Sequence, residues 1–389
     1  MQVQASSASL LIIALVAAAV VVTCVDPVGR SFGDDSCCAA VDSLLEAATT
    51  NQLVPAAAAA WGTSERIVGS GGFGSFTYTD PTPVTDTTRF DLASLTKVVV
   101  TTTAVMLLVE SGRVHPDSTV SSYLPEFGVN GKDGVTVRHL LQHRGGLAPF
   151  RRFYLRPGIE AADVVEAILS DTLVYEPGTD QQYSDLGFIV LGLVVERVSG
   201  SDLATFADLN IFQPLGMTRT GFRATDGTDT WIVPTEIDTV YRDRLVQGEV
   251  HDENAFLLGG TAGHAGLFST ATDLARFARM LLGNGTLDGR RFLDSTTVAA
   301  FTNRVHFAAD ERGLGWDFKS LDGYSSAGSR FGSASFGHTG FTGTSIWLDP
   351  AADVFAILLT NRVYPTRENR AHVELRPQFA DAAYEAVIG

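Results

Sequence analysis

Apolar and polar positions change period along this chain, from helical over 41–50 to extended over 54–61 and 66–70, where the polar turn Gly62-Thr63-Ser64-Glu65 separates two strand-like runs. An apolar run over 98–109, ended by Gly112, predicts a helix with Asp91 as its N-cap and Ser94 in its first turn. Helical spacing with long loops fills the middle of the chain, at 136–142, 161–170, 186–198 closed by Gly200, 201–212 and 272–282. Strand patterns return at 343–348 and 354–360 around the turn Asp349-Pro350-Ala351-Ala352, and a last helix is predicted over 376–387. There is no internal repeat. Strands at both ends with helices between predict an α+β fold. Its antiparallel sheet is built from 39–115 and 290–389 and flanked by helices, and a mostly helical subdomain is inserted at 116–289. The start of the 98–109 helix falls at their boundary, where clefts form.

The N-terminus differs in kind. Leu10 through Val22 is an unbroken apolar run, short for a membrane span and of the length of a secretory signal's core. Residues 1–25 therefore read as an export signal or an N-terminal membrane anchor, which predicts a protein of the periplasm or cell envelope. Val21-Val22-Thr23-Cys24 loosely resembles a lipoprotein processing site, a second route to attachment. Residues 26–38, rich in Gly, Ser and Asp, read as a linker.

Composition narrows the function classes. With 389 residues and 45% apolar content the chain can bury a large core. A net charge of −16 opposes nucleic acid and anionic membrane surfaces as partners, because phosphate contacts need clustered cations. Of the three cysteines, Cys37 and Cys38 are adjacent, and the set has neither a disulfide framework nor metal-ligand spacing. Gly69-Ser70-Gly71-Gly72-Phe73-Gly74 satisfies a GxGxxG pattern, but the next residues, ending in Asp80-Pro81-Thr82-Pro83, cannot open the helix that a dinucleotide site requires. No metal or organic cofactor is expected, and the protein is expected to be a monomer with a small-molecule or peptide substrate.

Candidate chemistry starts at Ser94-Leu95-Thr96-Lys97, which sets a hydroxyl and an amine on one helix face. In a first turn the backbone N–H of the serine is free to serve as half of an oxyanion hole, and Lys97 can accept its proton. Taken alone, an amphipathic helix with a surface lysine reads as well. Two other stretches fit the needs of such a pair. Tyr183-Ser184-Asp185 puts a phenol in a helix-capping loop, where it can shuttle protons or simply pack. Gly337-His338-Thr339-Gly340-Phe341-Thr342-Gly343 has small residues along which a substrate can lie, and the N–H of Phe341 can supply the second oxyanion donor; a glycine-softened edge strand is the plainer reading.

These three stretches, in this order and at wide separations, resemble the serine β-lactamase and penicillin-binding protein superfamily, whose marks are Ser-x-x-Lys, Tyr-x-Asn and Lys-Thr-Gly. The likeness extends to Leu140 through Leu147, Leu258 through Ser269 and Leu359-Thr360-Asn361-Arg362, and is strongest to class C β-lactamase-like hydrolases and low-molecular-weight penicillin-binding proteins. The resemblance implies a β-lactamase/DD-peptidase-like fold, Ser94 as acylated nucleophile, Lys97 as proton acceptor and Tyr183 as relay. It places Asp185, His338, Thr339, Gly340 and Phe341 along the substrate. Lys97 must then be neutral when it takes a proton. Asp185 stands where the family often has Asn, and His338 where Lys is usual. Both weaken the attraction for a substrate carboxylate, and activity on anionic substrates is expected to rise as His338 becomes protonated. The implied substrates are D-alanyl peptides or β-lactams; the alternatives are an esterase or amidase on the same scaffold and a non-catalytic wall-binding or β-lactam-sensing module. His139 and His143 read as structural, His251-Asp252 and His264 as cleft-lining or loop-capping, and Arg362 and Arg367 as exposed. There is no Gly-x-Ser-x-Gly elbow.

Overall fold

The computed structural model describes residues 31–32, 38–222, 231–307, 312–370 and 372–389. The expected export signal or anchor, Cys24 and Cys37 lie outside the described residues. Among these residues the strands in chain order are β1 Ser31–Phe32, β2 Ala56–Gly62, β3 Ile67–Gly74, β4 Phe90–Asp91, β5 Gly221–Phe222, β6 Ile237–Asp238, β7 Arg244–Leu245, β8 Leu267–Ser269, β9 Thr286–Leu287, β10 Arg290–Arg291, β11 Asp317–Phe318, β12 Phe336–Thr339, β13 Ser345–Asp349 and β14 Val354–Thr360.

One sheet runs β1-β3-β2-β14-β13-β12-β11, with every pair antiparallel. The two ends of the chain meet where β2 pairs with β14, Ala57 opposite Thr360 and Gly62 opposite Phe355. This is the α+β sheet expected from the pattern. Residues of β2 alternate between two cores: Ala56, Ala58 and Ala60 join one apolar cluster, while Ala57, Ala59 and Trp61 join the other. Both faces are covered, by the helix Ala271–Leu282 on one side and by Ala39–Thr50 and His372–Ile388 on the other. The small side chains of β2 and the glycines of β3 let those helices come close, so the GxGxxG pattern is a strand interior.

Four expectations are corrected. Ser31–Phe32, inside the expected linker, adds a strand to the edge of the sheet through Ser70 and Gly69. The helix Ala271–Leu282, assigned by sequence to the inserted subdomain, packs on β2, β3, β13 and β14, so the sheet layer starts well before residue 290. The last helix begins at His372, with Pro377 inside it. Pro377 has no N–H to give Val373, and the Tyr324 hydroxyl donates to that carbonyl instead, at 2.8 Å. The helix after Ser94 is not regular. It runs as a wide i→i+5 turn over Lys97–Thr102 and becomes α-helical only at Thr103–Glu110, with Gly112 in the left-handed region (φ +69) beyond its end.

Asn361, directly after β14, ties three segments together. Its Oδ1 accepts from Ala56 N at 3.1 Å, and its Nδ2 donates to Phe76 O at 3.0 Å and Pro234 O at 2.9 Å, all buried. Asn361→Ala strands one N–H and two carbonyls, and should cost about 3 kcal/mol or more in urea unfolding. A loss below about 1 kcal/mol would show that water replaces the amide freely.

Candidate active site

Ser94 sits in the tight turn that joins β4 to the helix. Ala93 N–H donates to Asp91 Oδ1 at 2.7 Å, and the next three N–H groups that find acceptors close short turns: Leu95 to Leu92 O, Thr96 to Ala93 O and Lys97 to Ser94 O. Ala93 carries φ +46, a left-handed conformation rare for a residue with a side chain, directly before Ser94. Asp91 is therefore not the simple helix cap expected. Its other oxygen accepts the N–H of His251 at 2.6 Å and fastens a distant loop to the Ser94 turn.

The turn after β12 docks on the same segment. Thr342 Oγ1 donates to Asp91 O at 2.7 Å and Thr344 Oγ1 to Leu92 O at 3.1 Å. Gly340 makes the approach: a Cβ there would lie 2.1 Å from Thr344 Oγ1 and 2.4 Å from Leu92 O. Behind it, Arg376 Nη2 donates to Gly340 O at 2.6 Å and Arg362 Nε to Phe341 O at 2.8 Å. Among the described residues, the N–H groups of Ser94 and Phe341 have no intramolecular acceptor.

Lys97 is fully buried, with Nζ 2.9 Å from Ser94 Oγ, 2.7 Å from Asp185 Oδ1 and 3.2 Å from His264 O, and 4.8 Å from the centre of the Tyr183 ring. Burial alone would lower the pKa of the amine. The Asp185 charge, with Tyr183, outweighs it and holds Lys97 above the usual lysine value. Lys97 thus rests as an ammonium, not as the neutral base expected from the sequence. Burial pushes the Tyr183 hydroxyl up as well, against the pull of Lys97 and polar contacts from Lys97 and Ser94.

Tyr183 and Asp185 are positioned by the start of the helix Asp185–Ser199. Ser184 caps it, accepting from Gly187 N at 3.2 Å and donating to Ala148 O at 2.7 Å, and the Ser184 N–H donates to His143 Nδ1 at 3.0 Å. The His143 ring lies against Tyr183, centroids 4.3 Å apart, and burial holds its pKa well below the usual value. His139 Nδ1 accepts the N–H of Thr136 at 3.3 Å. Asp185, expected along the substrate, gives one carboxylate oxygen to Lys97 and turns its remaining surface to the cavity.

His338 is the second corrected charge. It is buried, its Nδ1 is 2.8 Å from Thr339 O, and burial lowers its pKa to about 4. At neutral pH it carries no charge, so the expected rise in activity through the ordinary histidine range has no basis here.

A cavity of about 300 Å³ opens over this centre, lined by Ser94, Tyr183, Asp185, His251, Asp252 and Phe341 among others. Lys97 lies beneath it, and His338, Thr339 and Gly340 belong to the strand and turn that carry Phe341. Glu236 and Glu253 were not singled out by sequence. Both hold Arg367, through Glu236 Oε2 at 2.6 Å and Glu253 Oε1 at 2.8 Å from its Nη2, so Arg367 is half-buried in an ion-pair cluster and lines the cavity. Three cations near Ser94 have carboxylates: Lys97 has Asp185, Arg367 has Glu236 and Glu253, and Arg312, which lies over the Tyr183 ring, has Asp317; Arg362, over the Phe341 ring, and Arg376 are held by backbone carbonyls instead.

Comparison with known proteins gives a consistent setting. The Beta-lactamase family model matches residues 41–380. A putative D-alanyl-D-alanine carboxypeptidase of Escherichia coli (strain K12) is 32% identical over 342 residues, spanning 80% of this chain and 76% of that protein. An N-acetylmuramyl-L-alanine amidase of Bacillus subtilis (strain 168) is 32% identical over 362 residues, 85% of this chain and 80% of that protein. Among solved structures, a penicillin-binding protein homologue from Caulobacter crescentus superposes with TM-score 0.72 at 22% identity, over 90% of this chain and 97% of that one. EstCE1, a hydrolase with promiscuous acyltransferase activity, gives TM-score 0.72 at 24% identity, over 90% and 99%.

The Lys97–Asp185 pair sets a pH dependence. If a neutral Lys97 is the form that deprotonates Ser94, the acylation rate climbs with pH as Lys97 loses its proton. Asp185→Asn removes the charge that holds the ammonium, lowers the Lys97 pKa and should move that ascending limb to lower pH, whatever its height. Burst kinetics on a chromogenic ester read the limb directly, and a limb that stays in place or moves upward contradicts the role given to Asp185.

Proposed function

Because the chain belongs to the beta-lactamase family, we propose that it hydrolyses uncharged esters or amides through an acyl-enzyme on Ser94. Neutral Lys97 takes the proton of Ser94 as Oγ attacks the carbonyl carbon, and the charge developing on the carbonyl oxygen is met by the N–H groups of Ser94 and Phe341. The proton passes from Lys97 by way of the Tyr183 hydroxyl to the leaving group. In this reading Asp185 sets the pH at which Lys97 becomes a base. The N-terminal apolar run supports export.

The observation that carries the choice of substrate is the pairing of charges. A donor with a terminal carboxylate needs an unpaired cation to receive it. Lys97, Arg367 and Arg312 each face a carboxylate already, Arg362 is held by backbone carbonyls, and His338 is neutral. A D-alanyl-peptide carboxypeptidase is the second reading, favoured by the 32% identity to a putative enzyme of that name.

The two readings separate in one comparison. A neutral p-nitrophenyl ester and a peptide ending in D-Ala-D-Ala are offered to the protein and to Ser94→Ala. The proposal expects Ser94-dependent turnover of the ester at a kcat/KM at least about 10-fold above that of the peptide, a difference of about 1.4 kcal/mol. Preference for the peptide would instead establish the carboxypeptidase. Ester hydrolysis that survives Ser94→Ala would contradict both.

A further inference from the structure

An acyl-enzyme must be released by water, and in the account above Lys97 and Tyr183 are already engaged in moving the proton of Ser94, one held above the usual lysine value and the other raised by burial. The cavity over Ser94 holds a second set of titratable groups outside that machinery, formed by Glu236, His251, Glu253, Arg367 and the neighbouring pair Asp252 and His264.

His251 Nε2 lies 2.8 Å from Glu236 Oε2, both side chains almost wholly buried. Glu236 is clamped further: it accepts from Arg367 N at 2.9 Å and from Arg367 Nε at 3.0 and 2.9 Å. Burial would raise the Glu236 pKa, but the bonds from His251 and Arg367 bring it down to about 2, so the carboxylate stays ionised and can only accept. His251 therefore donates to it through Nε2, which leaves Nδ1 as the ring nitrogen outside that bond. That Nδ1 has no partner among the described residues, and it is not sealed: the buried, unpartnered side-chain nitrogens include His264 Nδ1 but not His251 Nδ1. His251 lines the same cavity as Ser94, and Nδ1 is its one ring nitrogen left unpaired. His264, bound to Asp252 through Nε2 at 2.9 Å, has the same kind of pair, but its Nδ1 has no access to water.

The position of His251 is fixed by the elements that carry the oxyanion donors. Its N–H is held by Asp91, which also holds Ala93 N–H, and its ring stacks on Phe341 with centroids 5.6 Å apart and planes 27° apart. The charged groups around it are Glu236 and Arg367 on one side, Asp91 at its backbone, and Asp252 and Glu253 next along the chain.

We propose that His251, oriented by Glu236, is the general base for the water that hydrolyses the Ser94 acyl-enzyme, an inference that rests on the Ser94 reading above. The water gives one proton to Nδ1 while its oxygen bonds the acyl carbon. Lys97, left neutral when its proton went to the leaving group, has by then taken a proton from solvent; the bond from that carbon to Ser94 Oγ breaks and Oγ takes this proton. The imidazolium releases its proton to solvent, which balances the one Lys97 took up. One water is consumed and one carboxylic acid leaves. His251 is a catalytic residue in this account, and Glu236 is a positioning residue.

The test separates the two half-reactions. The full chain and its His251→Gln, His251→Ala and Glu236→Gln variants are acylated with p-nitrophenyl acetate. Acylation is read from the burst, and release from the decay of the acyl adduct in intact mass. His251→Gln should lengthen the adduct's life about 100-fold or more, the range of a lost general base, while acylation falls far less. Added imidazole should shorten the adduct's life in His251→Ala. In Glu236→Gln, loss of the carboxylate that orients the ring should lengthen the adduct's life by a smaller factor than His251→Gln does, with the acylation burst again far less affected. An unchanged adduct lifetime in His251→Gln, or acylation and release falling by the same factor without imidazole rescue, overturns the proposal and leaves the Ser94 reading standing. A wild-type protein that never forms the adduct, or an adduct that persists in Ser94→Ala, overturns the Ser94 reading and this proposal with it.

Discussion

The close docking of the β12–β13 turn on the Ser94 turn is the contact on which the rest of the site depends. The two segments lie some 250 residues apart in sequence, as the bond from Thr342 to Asp91 (|i−j| = 251) shows, yet the Gly340 backbone lies so near Leu92 O that a single methyl group would collide with it. Two threonine hydroxyls supply the bonds across the seam, and Arg376 and Arg362 hold the turn from behind through its carbonyls. The arrangement leaves two backbone N–H groups, one from each segment, without acceptors beside the same cavity. A fold rarely leaves such donors unpaired without a use for them. The strand order makes the meeting possible, since β14 brings the C-terminal hairpin against β2 and so against the segment that leads to Ser94.

Charge then decides what that geometry can do. A lysine buried without a partner would lose its proton, and one buried against Asp185 keeps it. Asp185 therefore keeps Lys97, the neighbour of Ser94 Oγ, in its protonated form. On the far wall, Glu236 and Glu253 take up Arg367 as Asp185 takes up Lys97, and the cavity is left with no free cation among the described residues.

Local pattern revealed much of the frame. The two strand runs of β2 and β3 around a polar turn, the apolar helix Asp185–Ser199 with Gly200 (φ +76) after it, and the hairpin β13–β14 all come from short-range pattern. The pairing of Ser94 with Lys97 was legible because i and i+3 share a helix face, and the 2.9 Å contact forms even though the helix there is widened. What sequence could not supply were properties that depend on burial and on distant partners. His338 reads as a half-charged surface group until its surroundings neutralise it. Glu236 stands in a stretch with no motif, and its partners His251 and Arg367 lie 15 and 131 residues away. Asp91 looked like a helix cap because one oxygen does act locally, on Ala93, while its bond to His251 spans 160 residues. The early signs of that wall were His251-Asp252 and His264, read as cleft-lining or loop-capping.

The central claim is that Ser94 carries the acyl group, and the segment between Arg89 and Lys97 allows a direct reading. Trypsin cuts after both, releasing the peptide Phe90-Asp91-Leu92-Ala93-Ser94-Leu95-Thr96-Lys97, whose only other hydroxyl belongs to the fully buried Thr96. Acid quenching during turnover of a p-nitrophenyl ester, followed by digestion and fragmentation, should find the acyl mass on that peptide and on Ser94 within it. An acyl mass on another peptide, or steady ester hydrolysis with that peptide unmodified at every time point, would contradict the account.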